Sequence, residues 1–324
     1  MCSGGGWIFV EYFFLLSGYF AMRNMKQTMG NVLENGRAKY AFKYTIKKLV
    51  HIMPFVVVGT VMYYVAAIVS DQYNVQYAVY LFLQMPLELL QLSMTDATGL
   101  TFNYPMWYLS ALMIALPLVM YCYLINNDFF ESYMITVVPM LIYGWMNNTY
   151  HTLGLWHEWT GIIHTAAIRA FADLLLGCFV YKCSGILSNL KISELSKGIL
   201  TLIEVGGFGV ICIVSFKSRG GYSFQCAVFL MILSLSITFS MKSWTAYWNG
   251  IGWTAFCRVL GKLSIPVFCT HASVLKIVEY YFSLKSYITK VLFSFVLLFI
   301  ISFALLFLEA SVRKIIANKA GCYM

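Results

Sequence analysis

Ionisable side chains lie inside long apolar stretches of the sequence, where a charge is costly and a functional role is common. Glu11, Glu204 and His271 each lie in such a stretch. Arg169 and Asp173 are four residues apart in another, so a helix would place both on one face. Proteins move protons with carboxylates and imidazoles, and a guanidinium can stabilise negative charge. Structural interpretations stay open: Arg169 and Asp173 can neutralise each other, and His271 can be a hydrogen-bonded core residue.

Two further groups of residues favour structural interpretations. Lys276 and Glu279 lie near the end of an apolar stretch and can extend their charged ends to the outer membrane interface. His151, His157 and His164 form no HxxxH or HExxH pattern, so we interpret them as loop histidines and expect no metal site. The sequence also has no G-x-S-x-G, P-loop or GxGxxG motif, which excludes a typical soluble hydrolase, ATPase or dinucleotide enzyme.

The composition is that of a membrane protein. Of the 324 residues, 60% are hydrophobic and 11% are charged, against about 25% charged in soluble proteins. This balance excludes a soluble enzyme, a disordered chain and a secreted disulfide scaffold. Since a membrane-spanning helix needs about 20 mostly apolar residues, we predict an all-α polytopic integral membrane protein with nine spans. The predicted spans are residues 7–25, 49–70, 107–125, 132–147, 165–183, 198–216, 223–241, 262–282 and 288–309.

A tenth apolar stretch, residues 77–93, contains Pro86 and Glu88 and is predicted as a short interfacial or re-entrant helix. It lies in one of two long polar and aromatic segments, Asp71–Pro105 and Asn147–His164, which fall on the same side of the nine spans. Such segments can bind a ligand at the outer surface. An aromatic interfacial belt is the interpretation that composition alone favours.

The basic residues predict the orientation in the membrane. Sixteen of the 22 Lys and Arg residues fall on one side of the nine spans, seven of them in a loop from Arg23 to Lys48. We assign this side to the cytoplasm and the protein to the plasma (inner) membrane. The C-terminus is then cytoplasmic, and residues 1–6 lie on the outer face. The net charge of +9 is thus explained by topology, so we expect membrane lipids as partners and no nucleic acid.

Five stretches, in order along the chain, resemble the membrane-bound acyltransferase 3 family. GWIFVEYFFLLSGY at 6–19 resembles the family's helix with an acidic residue, paired Phe and Ser-Gly. YTIKKLVHIMP at 44–54 resembles its basic helix start, with Lys47, Lys48 and His51 where arginines are usual. PMWYL at 105–109 resembles its Trp-Tyr-Leu helix start. The remaining two are an Arg…Gly stretch at 169–177 and a Leu-Gly-x-x-Ser…His stretch at 260–271.

The resemblance implies a single acyltransferase-3-like transmembrane domain over residues 1–324. The family has ten core helices with both termini cytoplasmic. Removal of the first helix leaves nine spans and an N-terminus on the outer face, as predicted for this chain. The glycine-rich start, Ser3 to Gly6, is also more typical of a loop between helices. We therefore expect one helix to be missing upstream. No residue of this chain matches the family's general-base histidine, which belongs to that first helix.

The resemblance also implies acyl transfer, typically of acetyl, from acyl-CoA to a hydroxyl group of an exported or cell-surface carbohydrate or lipid-linked glycan. Acetyl-CoA or another acyl-CoA would be a co-substrate, and no cofactor would be bound permanently. Three sets of residues follow from the matched motifs. They are Glu11 and His271 in supporting catalytic roles, Lys47, Lys48 and His51 for the donor, and Trp107, Tyr108 and Arg169 for the acceptor.

Two other functions stay open at this point. One is a truncated and inactive member of the same family, which would have the same fold. The other is a multi-span transporter of a polar solute. A transporter would be expected to show inverted repeats and paired broken helices, and the sequence shows neither pattern.

Overall fold

The protein is helical along most of its length. The computed structural model describes residues 8–28, 30, 36–95, 103–217, 222–248 and 250–321. Outside the helices, Trp159 and His164 form an isolated antiparallel bridge. The predicted all-α fold is confirmed. The α-helices of the described residues, α1 to α11 in chain order, are Ile8–Thr28, Arg37–Asp71, Val75–Leu89, Trp107–Ile125, Asn127–Phe129, Ile135–Tyr150, Thr165–Asn189, Glu194–Lys217, Tyr222–Ser240, Ile251–Tyr281 and Tyr287–Gly321.

Seven helices of the described residues are long and apolar enough to cross a membrane, and each coincides with a predicted span. The other two predicted spans also form helices. The apolar part of α9, Phe224–Ser240, is shorter, and α1 is made less apolar by Glu11 and by a polar last turn. The predicted short helix at 77–93 is present as α3, in which Glu88 is buried. The chain is a multi-pass membrane protein.

The prediction of a basic loop from Arg23 to Lys48 is wrong, because both ends of this segment are helical. Helices α1 and α2 extend into this segment from its two sides, and α2 already begins at Arg37. Lys, Arg and Ala are good helix formers, so they continue α2 beyond its apolar part. Lys48 and His51 consequently lie three to four turns inside α2, at about 3.6 residues per turn, and not at its start.

The chain divides into two compact units. Unit 1 comprises Met1–Ile46 and Ser110–Asn249, and unit 2 comprises Lys47–Leu109 and Gly250–Met324. Each unit joins two segments that are distant in the sequence, so tertiary contacts define it. The prediction of a single domain over residues 1–324 is not tested by this division and stays a prediction.

In unit 1, α1 and α7 cross at two glycines. A Cβ atom on Gly18 would overlap the carbonyl oxygen of Leu174, and a Cβ atom on Gly177 would overlap the carbonyl oxygen of Leu15. The thiol of Cys178 also donates to the carbonyl of Gly18 at 3.5 Å. Small residues at such a crossing let two membrane helices approach closely and pack by dispersion. The close approach fixes the register of α1 against α7.

Replacing Gly177 with Ala should destabilise unit 1 by roughly 1–3 kcal/mol, because the added methyl group forces two backbones apart. The matched control is Gly185→Ala in the same helix, where an added Cβ atom meets nothing within 4 Å. That variant should be neutral or slightly stabilising, since Ala is the better helix former. Thermal unfolding of the purified protein in detergent measures both effects. Equal unfolding temperatures for the two variants would contradict the crossing.

Glu204, a carboxylate inside the predicted sixth span, has a structural role in unit 1. Its side chain is buried and accepts hydrogen bonds from Thr238 Oγ1 at 2.6 Å and Thr245 Oγ1 at 2.7 Å. These contacts tie α8 to the end of α9 and to the 3₁₀ turn that follows it. Two charge-assisted hydrogen bonds offset part of the cost of burying a carboxylate.

In unit 2, α2 and α10 cross at Gly59. A Cβ atom there would overlap the carbonyl oxygen of Cys269, and the hydroxyl of Ser273 donates to the carbonyl of Gly59 at 3.2 Å. Helix α10 also packs against α11. The Gly59 crossing holds the segment of α10 that contains His271 beside α2.

Candidate functional site

Unit 1 contains a buried charged cluster, formed by Glu11, Tyr143, Arg169 and Asp173 and here named the Glu11–Arg169 cluster. Its members come from α1, α6 and α7. Glu11 precedes Gly18 by seven residues, and Arg169 lies eight residues before the glycine that faces Gly18. Both distances are about two helical turns, so the glycine crossing places Glu11 beside Arg169. The structure thus brings together two of the residues that the sequence predicted separately.

An interhelical ion pair joins the cluster. The Nε atom of Arg169 lies 3.2 Å from Oε1 of Glu11, and both side chains are almost completely buried. The sequence spacing left open a pair between Arg169 and Asp173 within one helix. In the structure, Tyr143 donates its hydroxyl hydrogen to Oδ1 of Asp173. Asp173 also interacts electrostatically with the carboxyl group of Glu11.

Arg169 also anchors the segment that precedes α7. Its Nη1 group donates to the carbonyl oxygens of Leu153 at 2.8 Å and Leu155 at 3.0 Å. Both acceptors belong to the irregular stretch between α6 and α7, residues 151–164, which we name the anchored segment. One buried guanidinium therefore holds the anchored segment and the carboxylate of α1 together. Its predicted contact with an acceptor stays a prediction.

The anchored segment has further internal hydrogen bonds. Nδ1 of His164 lies 3.0 Å from the carbonyl oxygen of His157, and the backbone N–H of Thr165 donates to Glu158 O at 2.9 Å. A carbonyl can only accept, so Nδ1 of His164 carries the hydrogen. These contacts agree with the interpretation of loop histidines. Within the described residues, no group of three or more His, Cys, Asp or Glu side chains is placed to hold a metal ion.

Unit 2 contains a second candidate site, an aromatic cluster of Tyr108, Phe268 and His271. The rings of Tyr108 and Phe268 meet edge to face, with centroids 5.5 Å apart, and the rings of Phe268 and His271 are 5.9 Å apart. Phe268 and His271 lie one turn apart in α10. The structure therefore links Tyr108 and His271, which the sequence analysis assigned to different roles, through a phenylalanine that it did not single out.

A hydrogen bond to the preceding turn of α10 orients His271. Its Nδ1 atom lies 2.7 Å from the carbonyl oxygen of Phe268. Because the carbonyl is an acceptor, Nδ1 carries the hydrogen, and the lone pair of the neutral imidazole is on Nε2. Nε2 can thus accept one hydrogen bond, or donate one when the ring is protonated. This geometry suits a group that positions or stabilises a reacting atom.

Trp107 and Tyr108 begin α4, directly after a 3₁₀ turn that contains Pro105. Their side chains are 5% and 7% exposed, so they are buried and do not form an open aromatic surface. Asn103, at the start of the same turn, is fully buried. These residues can form the wall of a binding site, and their contact with the acceptor stays a prediction.

Lys47 and His51 are exposed on α2, and Lys48 is half-buried. Lys47 and His51 are four residues apart, which places them on one helical face. Lys48 lies about 100° around the helix from Lys47, at 3.6 residues per turn. One anionic group could contact Lys47 and His51 together. Contact with Lys48 would take place on a different face of α2.

Lys276 and Glu279 have partners in unit 2. Nζ of Lys276 lies 2.8 Å from Oδ2 of Asp71 at the end of α2, and Oε1 of Glu279 lies 3.1 Å from Nζ of Lys290. These side chains are partly exposed, so such pairs contribute little to stability. Just beyond α2, a hydrogen bond to Asp71 raises the pKa of Tyr73 to about 12. These contacts favour the structural interpretation of Lys276 and Glu279.

Tyr143 and Asp173 show what sequence reasoning missed and why. Asp173 was recognised as an ionisable group within a predicted span, and its spacing suggested Arg169 as a partner, but no pattern indicated Tyr143. Tyr143 is one of 23 tyrosines, and nothing in its neighbourhood distinguishes it from the others. Only the packing of α6 against α7 places the two side chains together. A carboxylate within a predicted span was the available signal that polar partners had to lie nearby.

Comparisons with known proteins identify the family. A family model described as an acyltransferase domain, of the acyltransferase 3 type, matches residues 6–307. A comparison with curated proteins finds no match for the chain, and neither does a comparison with solved structures. The matched region contains the Glu11–Arg169 cluster, the aromatic cluster and the basic residues of α2. This multi-pass membrane protein belongs to the acyltransferase 3 family, and acyl transfer is its class of activity.

Proposed function

We propose that the chain transfers an acyl group, typically acetyl, from acyl-CoA to a hydroxyl group of an exported or cell-surface carbohydrate or lipid-linked glycan. The observation that carries the proposal is the family match over residues 6–307. The membrane helices support it, since a membrane enzyme can take a donor from one side and act on an acceptor at the other. We place the protein in the plasma (inner) membrane, with the basic part of α2 on the cytoplasmic side.

The proposed reaction is an attack of the acceptor hydroxyl oxygen on the thioester carbonyl carbon. A C–O bond forms and the C–S bond breaks. The hydroxyl proton passes to a base and from the base to the departing sulfur, so CoA leaves as the thiol. Such a reaction needs two reactants held together and hydrogen-bond donors near the developing oxyanion. The chain's own residues supply binding, orientation and hydrogen bonds.

Lys47, Lys48 and His51 are proposed to contact the donor. CoA carries anionic phosphates, and cationic side chains attract them and form charge-assisted hydrogen bonds with them. Lys47 and His51 share one exposed face of α2. A lysine acts as a point charge without the two-pronged geometry of arginine. We therefore expect binding that depends strongly on salt concentration.

Lys48→Ala should raise KM for acyl-CoA roughly 10- to 100-fold, because one charge-assisted hydrogen bond contributes roughly 1.5–3 kcal/mol. Lys48→Arg keeps the charge and should retain most of the affinity. The control is Lys191→Ala, at an exposed lysine outside the helices, which should leave KM unchanged. Initial rates over a range of acyl-CoA and salt concentrations measure all three. Equal KM values for the Lys48→Ala and Lys191→Ala variants would contradict donor binding by Lys48.

His271 and Glu11 are proposed to support catalysis in different ways. Nε2 of His271 can hydrogen-bond to a reacting group because Nδ1 is held by the carbonyl of Phe268. Glu11 is fully buried beside Arg169, so it acts by positioning α1 and not by contact with solvent. Neither residue is assigned the role of general base.

Trp107, Tyr108 and Arg169 are proposed to define the acceptor side. Trp107 and Tyr108 can offer aromatic walls, with polar ring groups, to a sugar. Arg169 acts indirectly, through the anchored segment that it holds by two carbonyl oxygens. This assignment uses the prediction that the segment before α4 and the anchored segment both lie on the outer face.

The acceptor class can be tested in cells that express the protein and in cells with an empty vector. Surface and lipid-linked glycans are isolated and treated with mild hydroxide, which releases O-linked acyl esters, and the released acids are identified by mass spectrometry. The proposal predicts additional ester-linked acetate in the expressing cells, and less with Lys48→Ala. Additional ester found only on protein or phospholipid would overturn carbohydrate as the acceptor, but acyl transfer would remain the class of reaction.

A further inference from the structure

The Glu11–Arg169 cluster has an imbalance of charge. Glu11, Asp173 and Arg169 all have 0% exposure. Among the described residues, Arg169 is the cation in electrostatic contact with Asp173. Two ionised carboxylates and one guanidinium would leave a net negative charge buried in the protein. An uncompensated buried charge is strongly destabilising, whereas one added proton makes the cluster neutral.

The contacts indicate which carboxyl group holds that proton. Glu11 lies 3.2 Å from the Nε atom of Arg169, so the guanidinium is its charge partner. Asp173 accepts the hydroxyl hydrogen of Tyr143 at Oδ1. Its other oxygen, Oδ2, is buried and receives no donor in the described structure. Two carboxylates in contact repel each other when both are ionised, but a protonated Oδ2 could donate to Glu11.

We propose that Glu11 and Asp173 form a proton-binding site that holds one proton at neutral pH, bound to Oδ2 of Asp173 and donated to Glu11. The titratable and charged groups that face Asp173 in the described residues are Glu11 from α1, Tyr143 from α6 and Arg169 from its own helix. Tyr143 donates a hydrogen bond to Asp173, and Asp173 donates one to Glu11. Arg169 pairs with the carboxylate of Glu11. This network joins three helices with every charge compensated.

Infrared spectroscopy tests the site directly, because a protonated carboxyl group has a C=O stretching band that a carboxylate lacks. The wild-type protein in lipid at pH 7 should show this band, and labelling its aspartates with ¹³C should shift it. Asp173→Asn should remove the band, whereas the control Asp128→Asn, at an exposed aspartate, should retain it. Absence of the band in the wild-type protein would overturn the proposal, as would a band that shifts only on labelling of glutamate.

Stability as a function of pH gives an independent test. Between the pKa of an unfolded aspartate, about 3.9, and the pH at which the folded site loses its proton, only the folded state holds this proton. The contribution of this site to stability therefore falls as pH rises, by about a tenfold change in the unfolding equilibrium constant per pH unit. Asn at 173 can still accept from Tyr143 and donate to Glu11, so that contribution should vanish in Asp173→Asn. Identical pH dependence in both proteins would overturn the proposal.

Discussion

Arg169→Met is expected to lower the free energy of unfolding by about 3–5 kcal/mol, because it removes one partner of a buried ion pair. The side chain of Met has a similar length, so the loss comes from the interactions and not from a large cavity. The variant leaves the carboxylate of Glu11 buried without its counter-ion. It also releases the carbonyl oxygens of Leu153 and Leu155.

Thermal unfolding in detergent and limited proteolysis measure the two consequences. The unfolding temperature should fall, and cleavage within the anchored segment should become faster. Arg23→Met, at an exposed arginine of α1, is the matched control and should change neither. Adding Glu11→Gln to Arg169→Met should recover part of the lost stability, because the buried negative charge is then removed as well. If Arg169→Met alone were as stable as the wild-type protein, Arg169 would not anchor this segment.

His271→Ala is expected to lower kcat about 100-fold, the scale on which removing one preorganised hydrogen bond near a reacting group acts. His271→Gln should retain more activity than His271→Ala, because its amide can hydrogen-bond near the position of Nε2 without taking up a proton. The effect should appear in kcat more than in KM for acyl-CoA, since His271 is not assigned to the donor.

The control for this pair is His157→Ala, at an exposed histidine of the anchored segment. It should leave kcat unchanged. Unfolding temperatures of all variants separate a catalytic effect from loss of the fold. Full activity in His271→Ala would remove the residue from the site, whereas equally low activity in both His271 variants would show that the imidazole itself is needed, as in proton transfer.

The membrane helices were predictable because span length and apolarity are local properties of the sequence. The α7 and α11 spans, for example, were predicted at 165–183 and 288–309 and lie within Thr165–Asn189 and Tyr287–Gly321. The basic start of α2 was missed as helix because hydropathy measures transfer into lipid and not helix propensity. Lysine and arginine transfer poorly into lipid, but their helix propensity is high.

The candidate site was predictable only in part. Buried ionisable residues such as Glu11 and Arg169 could be singled out because charge within an apolar span is costly. Their pairing could not be predicted, because it depends on the register that the Gly18 crossing imposes between α1 and α7. The spacing of Arg169 and Asp173 instead suggested a pair within one helix. Phe268, which links Tyr108 to His271, is one of 25 phenylalanines and gave no signal of its own.

In the proposed reaction, the acyl group leaves CoA and becomes attached to carbohydrate. The most direct measurement uses membrane vesicles that contain the protein and a donor labelled with ¹⁴C in the acetyl group and ³H in CoA. We predict that ¹⁴C enters the glycan fraction as a hydroxide-labile ester while ³H stays in solution as CoA. Entry of both isotopes into the vesicle lumen in equal amounts, with no ester in the glycan, would contradict it and indicate transport.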